Sequence, residues 1–120
     1  MNSRNYRAGE HVATIRSRRI SWNDRAVVQH GLNSDRIIVE PDGEWLECDS
    51  IEVHLSGNGI EVEVLVADEN RAVTIPKRFM ERPGKIGVAV VGKGGGMRFV
   101  TALLGSDLYV VDCGVGGGNR

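Results

Sequence analysis

The sequence predicts an all-β protein, and three of its features support that fold class. Apolar residues make up 41% of the 120 positions, yet there are only two tryptophans, two tyrosines and two phenylalanines. The core must therefore consist largely of valine, isoleucine and leucine, and β-branched side chains pack well on a pleated sheet. The chain also carries 16 glycines, which are costly inside helices. Finally, apolar residues recur with the period of two that is typical of strands.

The clearest strand signal is the segment "SIEVHLSGNGIEVEVLVADENRAVTI". Its alternating apolar positions are Ile51, Val53, Leu55, Ile60, Val62, Val64 and Val66. Acidic and polar residues stand between them, and "SGNG" separates the two halves. This pattern predicts a β-hairpin in which all of these apolar side chains face the core and the other face carries carboxylates.

Further strands are predicted on both sides of this hairpin. Upstream they are "VATIRSRRISW", "RAVVQHG" and "DRIIVEP", after which "PDGE" predicts a chain reversal. Downstream they are "KIGVAVVG", "MRFVTALL" and "DLYVVDC". The segment "TIPKRFMERPG" instead predicts a short helical turn near residues 76–81, with Pro76 at the first helical position and Phe79 or Met80 filling one end of the core. These strands form either a two-sheet sandwich or a partly open barrel.

The glycine-rich segment "VVGKGGGMRF", residues 90–99, has two possible roles. A phosphate-binding loop needs a Ser or Thr after its lysine and then a helix whose N-terminus faces the anion. Here Lys93 is followed by three glycines and then by "MRFVTALL", an apolar run without a helical cap. The context therefore favours the end of a β-hairpin.

No catalytic, cofactor-binding or metal-binding residues are predicted. None of the histidines, His11, His30 and His54, has a cysteine or second histidine at zinc-ligand spacing. The acidic residues between positions 40 and 49 lack the ligand order of a calcium loop. No nucleophile motif is present, so a small hydrolase with His30 or His54 as its base is kept only as a third hypothesis.

The two cysteines, Cys48 and Cys113, can form a disulfide, lie apart as buried small hydrophobes, or belong to a metal site. The first ten residues lack the apolar stretch of a secretion signal, so we expect separate, reduced thiols. No apolar run approaches the ~20 residues that span a bilayer, so no membrane partner is expected.

The net charge is −1, but charges are sorted along the chain. Residues 1–25 carry six arginines and two acids, residues 35–70 carry eleven acids and one arginine, and residues 71–98 carry seven bases and one acid. Such blocks either pair complementary faces of neighbouring subunits or neutralise one another between strands of one molecule. The overall charge argues against nucleic acid as a partner.

A chain of this length is expected to form one domain, which we place at residues 11–113. Residues 1–10 are polar and residues 114–120 are rich in glycine. We expect the first to be a flexible arm and the second a flexible tail, both suited to docking onto neighbouring subunits.

Two stretches resemble small β-rich domains of bacteriophage and prophage tail and baseplate proteins. They are "SDRIIVEPDGEWLECDSIEVHLSGNG" and "VTIPKRFMERPGKIGVAVVGKGGGMRFVTALL", with an "IP" turn, a "PG" turn and a strand ending in "VVG". The resemblance covers roughly residues 25–113. It implies an immunoglobulin-like β-sandwich of about seven to nine antiparallel strands, used as a virion building block or fibre adaptor, with no catalytic residues to carry over. Only "GVGGGNR" follows residue 113, so we expect this sequence to lack the fibre or receptor-binding part of longer relatives.

We therefore expect a non-enzymatic phage virion protein of tail, baseplate or fibre-adaptor type. Its expected partners are other virion proteins and further copies of itself in a homo-oligomer, and its expected location is the virion, assembled in the bacterial host cytoplasm. No cofactor is expected. The residues expected to contact partners are Arg4, Tyr6, Arg7, Arg16, Arg18 and Arg19. The alternative is a carbohydrate-binding module in which Trp22 or Trp45 stacks on a sugar.

Overall fold

The computed structural model describes residues 9–28, 35–57, 59–101 and 106–111, and these residues confirm the all-β prediction. They form ten strands and two short 3-10 helices, Gly43–Glu47 and Lys77–Met80. The strands are β1 (Glu10–Arg16), β2 (Arg19–Trp22), β3 (Ala26–Val28), β4 (Arg36–Glu40), β5 (Ser50–Gly57), β6 (Ile60–Val66), β7 (Ala72–Thr74), β8 (Gly84–Gly94), β9 (Met97–Val100) and β10 (Leu108–Val111).

The strands form two mixed sheets. The smaller sheet has the order β2-β1-β4-β7, and the larger has the order β3-β10-β8-β5-β6, with β9 also paired to β8. Two pairs, β1 with β4 and β3 with β10, are parallel. The prediction of about seven to nine antiparallel strands is therefore corrected to ten strands in mixed sheets. The parallel pairs arise because the chain leaves a sheet and returns to it in the same direction, which a hairpin cannot do.

Both sheets contribute to one hydrophobic core, which makes the fold a sandwich. A single connected cluster contains Ile15 and Ile37 from the smaller sheet and Leu55 and Leu108 from the larger one. Phe79 of the second 3-10 helix is fully buried in the same cluster, as is its neighbour Met80. The predicted helical turn and its contribution to the core are thus confirmed, but the turn begins at Lys77, and Pro76 is its extended N-cap rather than its first helical residue.

The β5–β6 hairpin forms as predicted, but the outward face of β6 differs from the prediction. Leu55 pairs with Glu63 and Gly57 with Ile60, so β6 uses one more residue than β5 over this stretch. This extra residue is a β-bulge. Beyond it, each side chain of β6 lies on the face opposite to the one that strict alternation from Ile60 predicts. The valines predicted to lie in the core are instead exposed: Val62 (61%), Val64 (48%) and Val66 (67%).

The glycine-rich segment is a hairpin end. Gly94 of β8 pairs with Met97 of β9, and the two residues between them, Gly95 and Gly96, have φ angles of 57° and 78°. Two consecutive positive φ values are what a tight type I′ hairpin turn requires, and glycine adopts them without strain. A strand rather than a helix follows, so this loop lacks the helix N-terminus of a phosphate-binding loop.

Several predictions fall on residues that the structure does not describe. Residues 1–8 of the predicted arm (residues 1–10) and the whole predicted tail (residues 114–120) lie outside the described residues, as do His30 and Cys113. Strand β1 begins at Glu10, one residue before the predicted start of the domain. Within the described residues, no helix has the length and apolar character needed to cross a membrane.

Candidate interaction surface

Strand β6 lies at one edge of the larger sheet. Among the described strands it pairs with β5 alone. The Ala67 amide donates to the Ile51 carbonyl oxygen at 2.9 Å, which fixes the direction of the hydrogen bonds along this pair. Because hydrogen-bonded and non-hydrogen-bonded positions alternate in an antiparallel ladder, the backbone N–H and C=O groups of Val64 and Val66 point away from β5. The edge therefore presents backbone groups able to accept another strand.

The same residues expose their side chains on the outer face of the sheet. We call Val62, Val64 and Val66 the valine row. Val64 lies opposite His54 and Val66 opposite Glu52 on the neighbouring strand. The row is apolar along most of the length of β6, on a face that carries polar groups on β5. Contiguous exposed apolar side chains on a sheet edge are typical of contact surfaces.

Strand β6 carries only some of the usual protections of an edge strand. Natural edge strands are commonly short or carry lysine, proline or inward-pointing charges. Strand β6 is seven residues long, contains neither lysine nor proline, and has its bulge near its beginning. Its inward-pointing acid, Glu63, forms an ion pair with Arg78, so that charge is neutralised within the molecule. Within the described ranges, the outer edge of β6 beyond the bulge is therefore open to pairing with another chain.

Charges beside the valine row are also balanced. One Glu52 carboxylate oxygen lies 3.1 Å from His54 Nε2 and the other accepts a hydrogen bond from Lys93 Nζ at 3.2 Å. Hydrogen bonds from His54 and then Lys93 hold the pKa of Glu52 below its ordinary value. The valine row is therefore bordered on the β5 side by a compact network rather than by unpaired carboxylates.

Three of the arginines predicted to contact partners lie together at the β1–β2 turn. Arg16, Arg18 and Arg19 are exposed, and Arg16 lies opposite Arg19 in the hairpin, where like charges repel. Arg18 Nε donates to the Val100 carbonyl oxygen at 3.2 Å and so links this turn to β9. The other predicted contact residues, Arg4, Tyr6 and Arg7, lie outside the described residues.

A cleft of about 510 Å³ lies beside these arginines. Its lining includes Arg18, Arg98, Asp42, Trp45 and Phe99. Two arginines and one aspartate line it, so its charged lining is cationic on balance and would suit an anionic side chain of another protein. Among the described residues that line this cleft, no buried side-chain nitrogen or oxygen lacks a hydrogen-bond partner.

One of the two tryptophan side chains is buried and the other is half-buried. Trp45 is 4% exposed, its ring centroid lies 5.6 Å from that of Phe99, and its indole N–H donates to the Ser17 carbonyl oxygen at 2.8 Å. A sugar-stacking platform needs an exposed ring face, which a residue buried to this degree does not offer. Trp22 is half-buried, and its indole N–H donates to the Ser106 carbonyl oxygen at 3.3 Å.

A buried histidine–aspartate pair was missed by the sequence reasoning. His11 is 1% exposed; its Nδ1–H donates to the Asp24 carbonyl oxygen at 2.9 Å, and its Nε2 lies 2.7 Å from Asp35 Oδ2. Both ring nitrogens are thus occupied, and neither is left to take a proton from a nucleophile. The pair links β1 to the start of β4, which makes it a structural group.

The remaining candidate groups show no metal-binding arrangement in the described part of the chain. Its His, Cys, Asp and Glu side chains form no group of three or more that could hold a metal ion. Burial raises the pKa of the half-buried Cys48 thiol, and the Asp49 and Glu47 carboxylates raise it further. A raised thiol pKa lowers the fraction of reactive thiolate.

Comparison with known proteins does not assign the chain to a family. No protein-family model matches the chain, and no curated protein is significantly similar to it.

Proposed function

We propose that the chain is a non-enzymatic structural protein of a bacteriophage virion, of tail, baseplate or fibre-adaptor type. In this proposal the sandwich is an immunoglobulin-like variant that works in the virion through contacts with other virion proteins and with copies of itself. The resemblance of its turn and strand motifs to tail and baseplate domains supports the virion assignment. The observation that carries the contact function is the exposed valine row on β6, an edge strand that pairs with β5 alone among the described strands.

The size of this surface supports a contact role on energetic grounds. Burying a whole valine side chain is worth about 1.5 to 3 kcal/mol, and these three are already partly buried. Covering the valine row completely would therefore contribute at most roughly 3 to 5 kcal/mol per subunit, before any backbone hydrogen bonds are added. That amount is a substantial part of the ~8 kcal/mol that corresponds to micromolar affinity.

The exposed arginines support contacts with additional partners. An arginine that faces another across a hairpin is unfavourable in the isolated molecule, and an acidic partner would relieve the repulsion. Guanidinium groups also form bidentate pairs with carboxylates. In the proposed virion protein, the turn that carries Arg16, Arg18 and Arg19 contacts an acidic surface of a neighbouring subunit.

The proposal is tested in two ways. Light scattering across a concentration series should give a mass above the 13.1 kDa of one chain, rising with concentration as a weakly associating subunit requires. Mass spectrometry of purified phage particles from a host that carries this gene should detect the protein at a fixed ratio to other tail proteins. A monomer at all concentrations, together with absence from purified particles, would refute the proposal.

A further inference from the structure

We infer that β6 pairs with β6 of a second copy of this chain, antiparallel and around a two-fold axis that passes through Val64. This inference rests on the proposed assembly function and makes it specific by naming the partner and the register. Val64 then lies opposite Val64 of the partner subunit, and Val62 lies opposite the partner's Val66. The two larger sheets would join into one continuous sheet across the axis.

The direction of the outer backbone groups fits this pairing. The N–H and C=O groups of Val64 point away from β5, as the hydrogen bond from Ala67 to Ile51 establishes for this ladder. Centring the axis on Val64 makes it a hydrogen-bonded position, where two opposed residues exchange two N–H···O bonds at a Cα separation of about 5.5 Å. The edge groups of Val66 are oriented in the same way.

The sheet pleat limits the possible registers. Residues that lie directly opposite in a sheet project to the same face, so the valine row of one copy meets that of the other only when the axis passes through a residue. The two alternatives next to the proposed axis at Val64 are axes at Glu63 and at Leu65. Moving the axis to either residue changes which acidic residues lie opposite one another.

The positions of the acids favour the axis through Val64. An axis through Glu63 would place Glu63 opposite Glu63 of the partner subunit. An axis through Leu65 would place Glu61 opposite the partner's Glu69 and would remove Val62 from the valine contact. Like charges directly opposite are destabilising. With the axis through Val64, every residue of the valine row lies opposite a valine, while Glu61 and Glu63 lie opposite Ala67 and Leu65 of the partner subunit.

The composition of β6 also favours a second copy over a charged partner. The row is symmetric about Val64, with one valine two residues away on each side. Its flanking carboxylate Glu52 is already engaged by His54 and Lys93, and Glu63 by Arg78, so these groups do not require an external cation. The remaining acids near the strand ends, such as Glu61 and Glu69, approach those of the other copy diagonally. Screening them with salt should therefore strengthen the dimer.

Register-specific crosslinking tests this inference. The variants are built in a Cys48→Ser, Cys113→Ser background, checked by circular dichroism, and treated with a short bismaleimide. Val64→Cys should crosslink to itself at least about ten times more than the control Val28→Cys. Val28 is a matched control because it is exposed almost equally, 49% against 48% for Val64, but lies on β3 rather than β6. Val62→Cys and Val66→Cys should each crosslink poorly alone and well when mixed, since four residues along a strand separate identical positions by about 13 Å.

The outcomes separate this inference from the proposed function. If the wild-type chain is oligomeric but Val64→Cys does not crosslink, the β6 pairing is refuted while the assembly function stands. Efficient self-crosslinking of Val62→Cys would refute the register. If removal of residues 1–8 abolishes the dimer, the arm of a neighbouring copy covers β6 and the inference is overturned. A dimer that weakens between 50 mM and 500 mM NaCl would likewise contradict an apolar pairing with acidic margins.

Discussion

Replacing Asp35 by alanine should destabilise the fold strongly, because it leaves His11 buried without its partner. The His11 and Asp35 side chains are 1% and 9% exposed, and their hydrogen-bonded atoms are 2.7 Å apart. Removing one member of a buried pair typically costs 3 to 5 kcal/mol. Since Asp35 retains some exposure, we expect about 3 kcal/mol for Asp35→Ala. Asp35→Asn should lose only about 1 kcal/mol, because its amide N–H can still donate to a neutral ring nitrogen.

Urea unfolding followed by tryptophan fluorescence would measure these losses. Linear extrapolation gives the free energy of unfolding of the wild-type chain, Asp35→Ala, His11→Ala and the double variant. The double variant should lose about 1 to 3 kcal/mol less than the sum of the two single variants, because the side chains interact directly. A cost below about 1 kcal/mol for Asp35→Ala, or strict additivity in the double variant, would refute this role for the pair.

Three further predictions concern other parts of the sandwich. Gly94→Ala should destabilise the fold by about 1 to 3 kcal/mol in the same urea assay, because the added Cβ would lie 2.7 Å from the Asp49 backbone nitrogen. The control is Gly95→Ala, whose added Cβ would contact no atom. Its cost should come only from the strain of a positive φ. The raised pKa of the Cys48 thiol predicts slower alkylation by iodoacetamide at pH 8 than after unfolding, as followed by mass spectrometry. Because the pKa of Glu52 is lowered in the folded state, its stabilising contribution is present above the ordinary value of 4.5 and lost as the pH falls through the folded value. The stability difference between wild type and Glu52→Gln should therefore shrink on acidification from pH 7 to pH 3; an unchanged difference would contradict the network with His54 and Lys93.

Local features of the fold were predictable from the sequence because their causes are local. The turn at Gly95 and Gly96 follows from the conformational freedom of glycine between two apolar strands. The helical turn at Lys77–Met80 follows from the proline at its start. The alternation in β5 also identified Val53 and Leu55 as core residues, and both are fully buried.

Non-local features were not predictable in the same way. The parallel pairing of β1 with β4 joins strands that are separated by two others in the chain, and no turn motif encodes it. His11 and Asp35 are 24 residues apart, and the pattern of neither segment indicates that they meet. Such contacts depend on the assembled sandwich rather than on any short stretch of sequence.

The valine row shows how a single bulge changes a functional interpretation. Strict alternation places Ile60 and Val64 on one face of β6, which is the face that the sequence assigns to the core. The bulge between them leaves Ile60 packed against the core and turns Val64 outward. A β-bulge has no reliable sequence signature in this segment, so the exposed row, and with it the candidate interaction surface, required the structure.

The most direct test of the central claim is the dimer dissociation constant of Val64→Lys, measured by sedimentation equilibrium beside wild type and Val28→Lys. The two valines are 48% and 49% exposed, so the variants are matched in the surface they change. Lysine on an edge strand opposes strand pairing, and the substitution occurs twice in a symmetric dimer. We predict that Val64→Lys weakens the dimer at least about 100-fold, or about 2.7 kcal/mol, while Val28→Lys leaves it within about threefold of wild type. A Val64→Lys protein that dimerises as tightly as wild type would contradict the assignment of β6 as the contact edge.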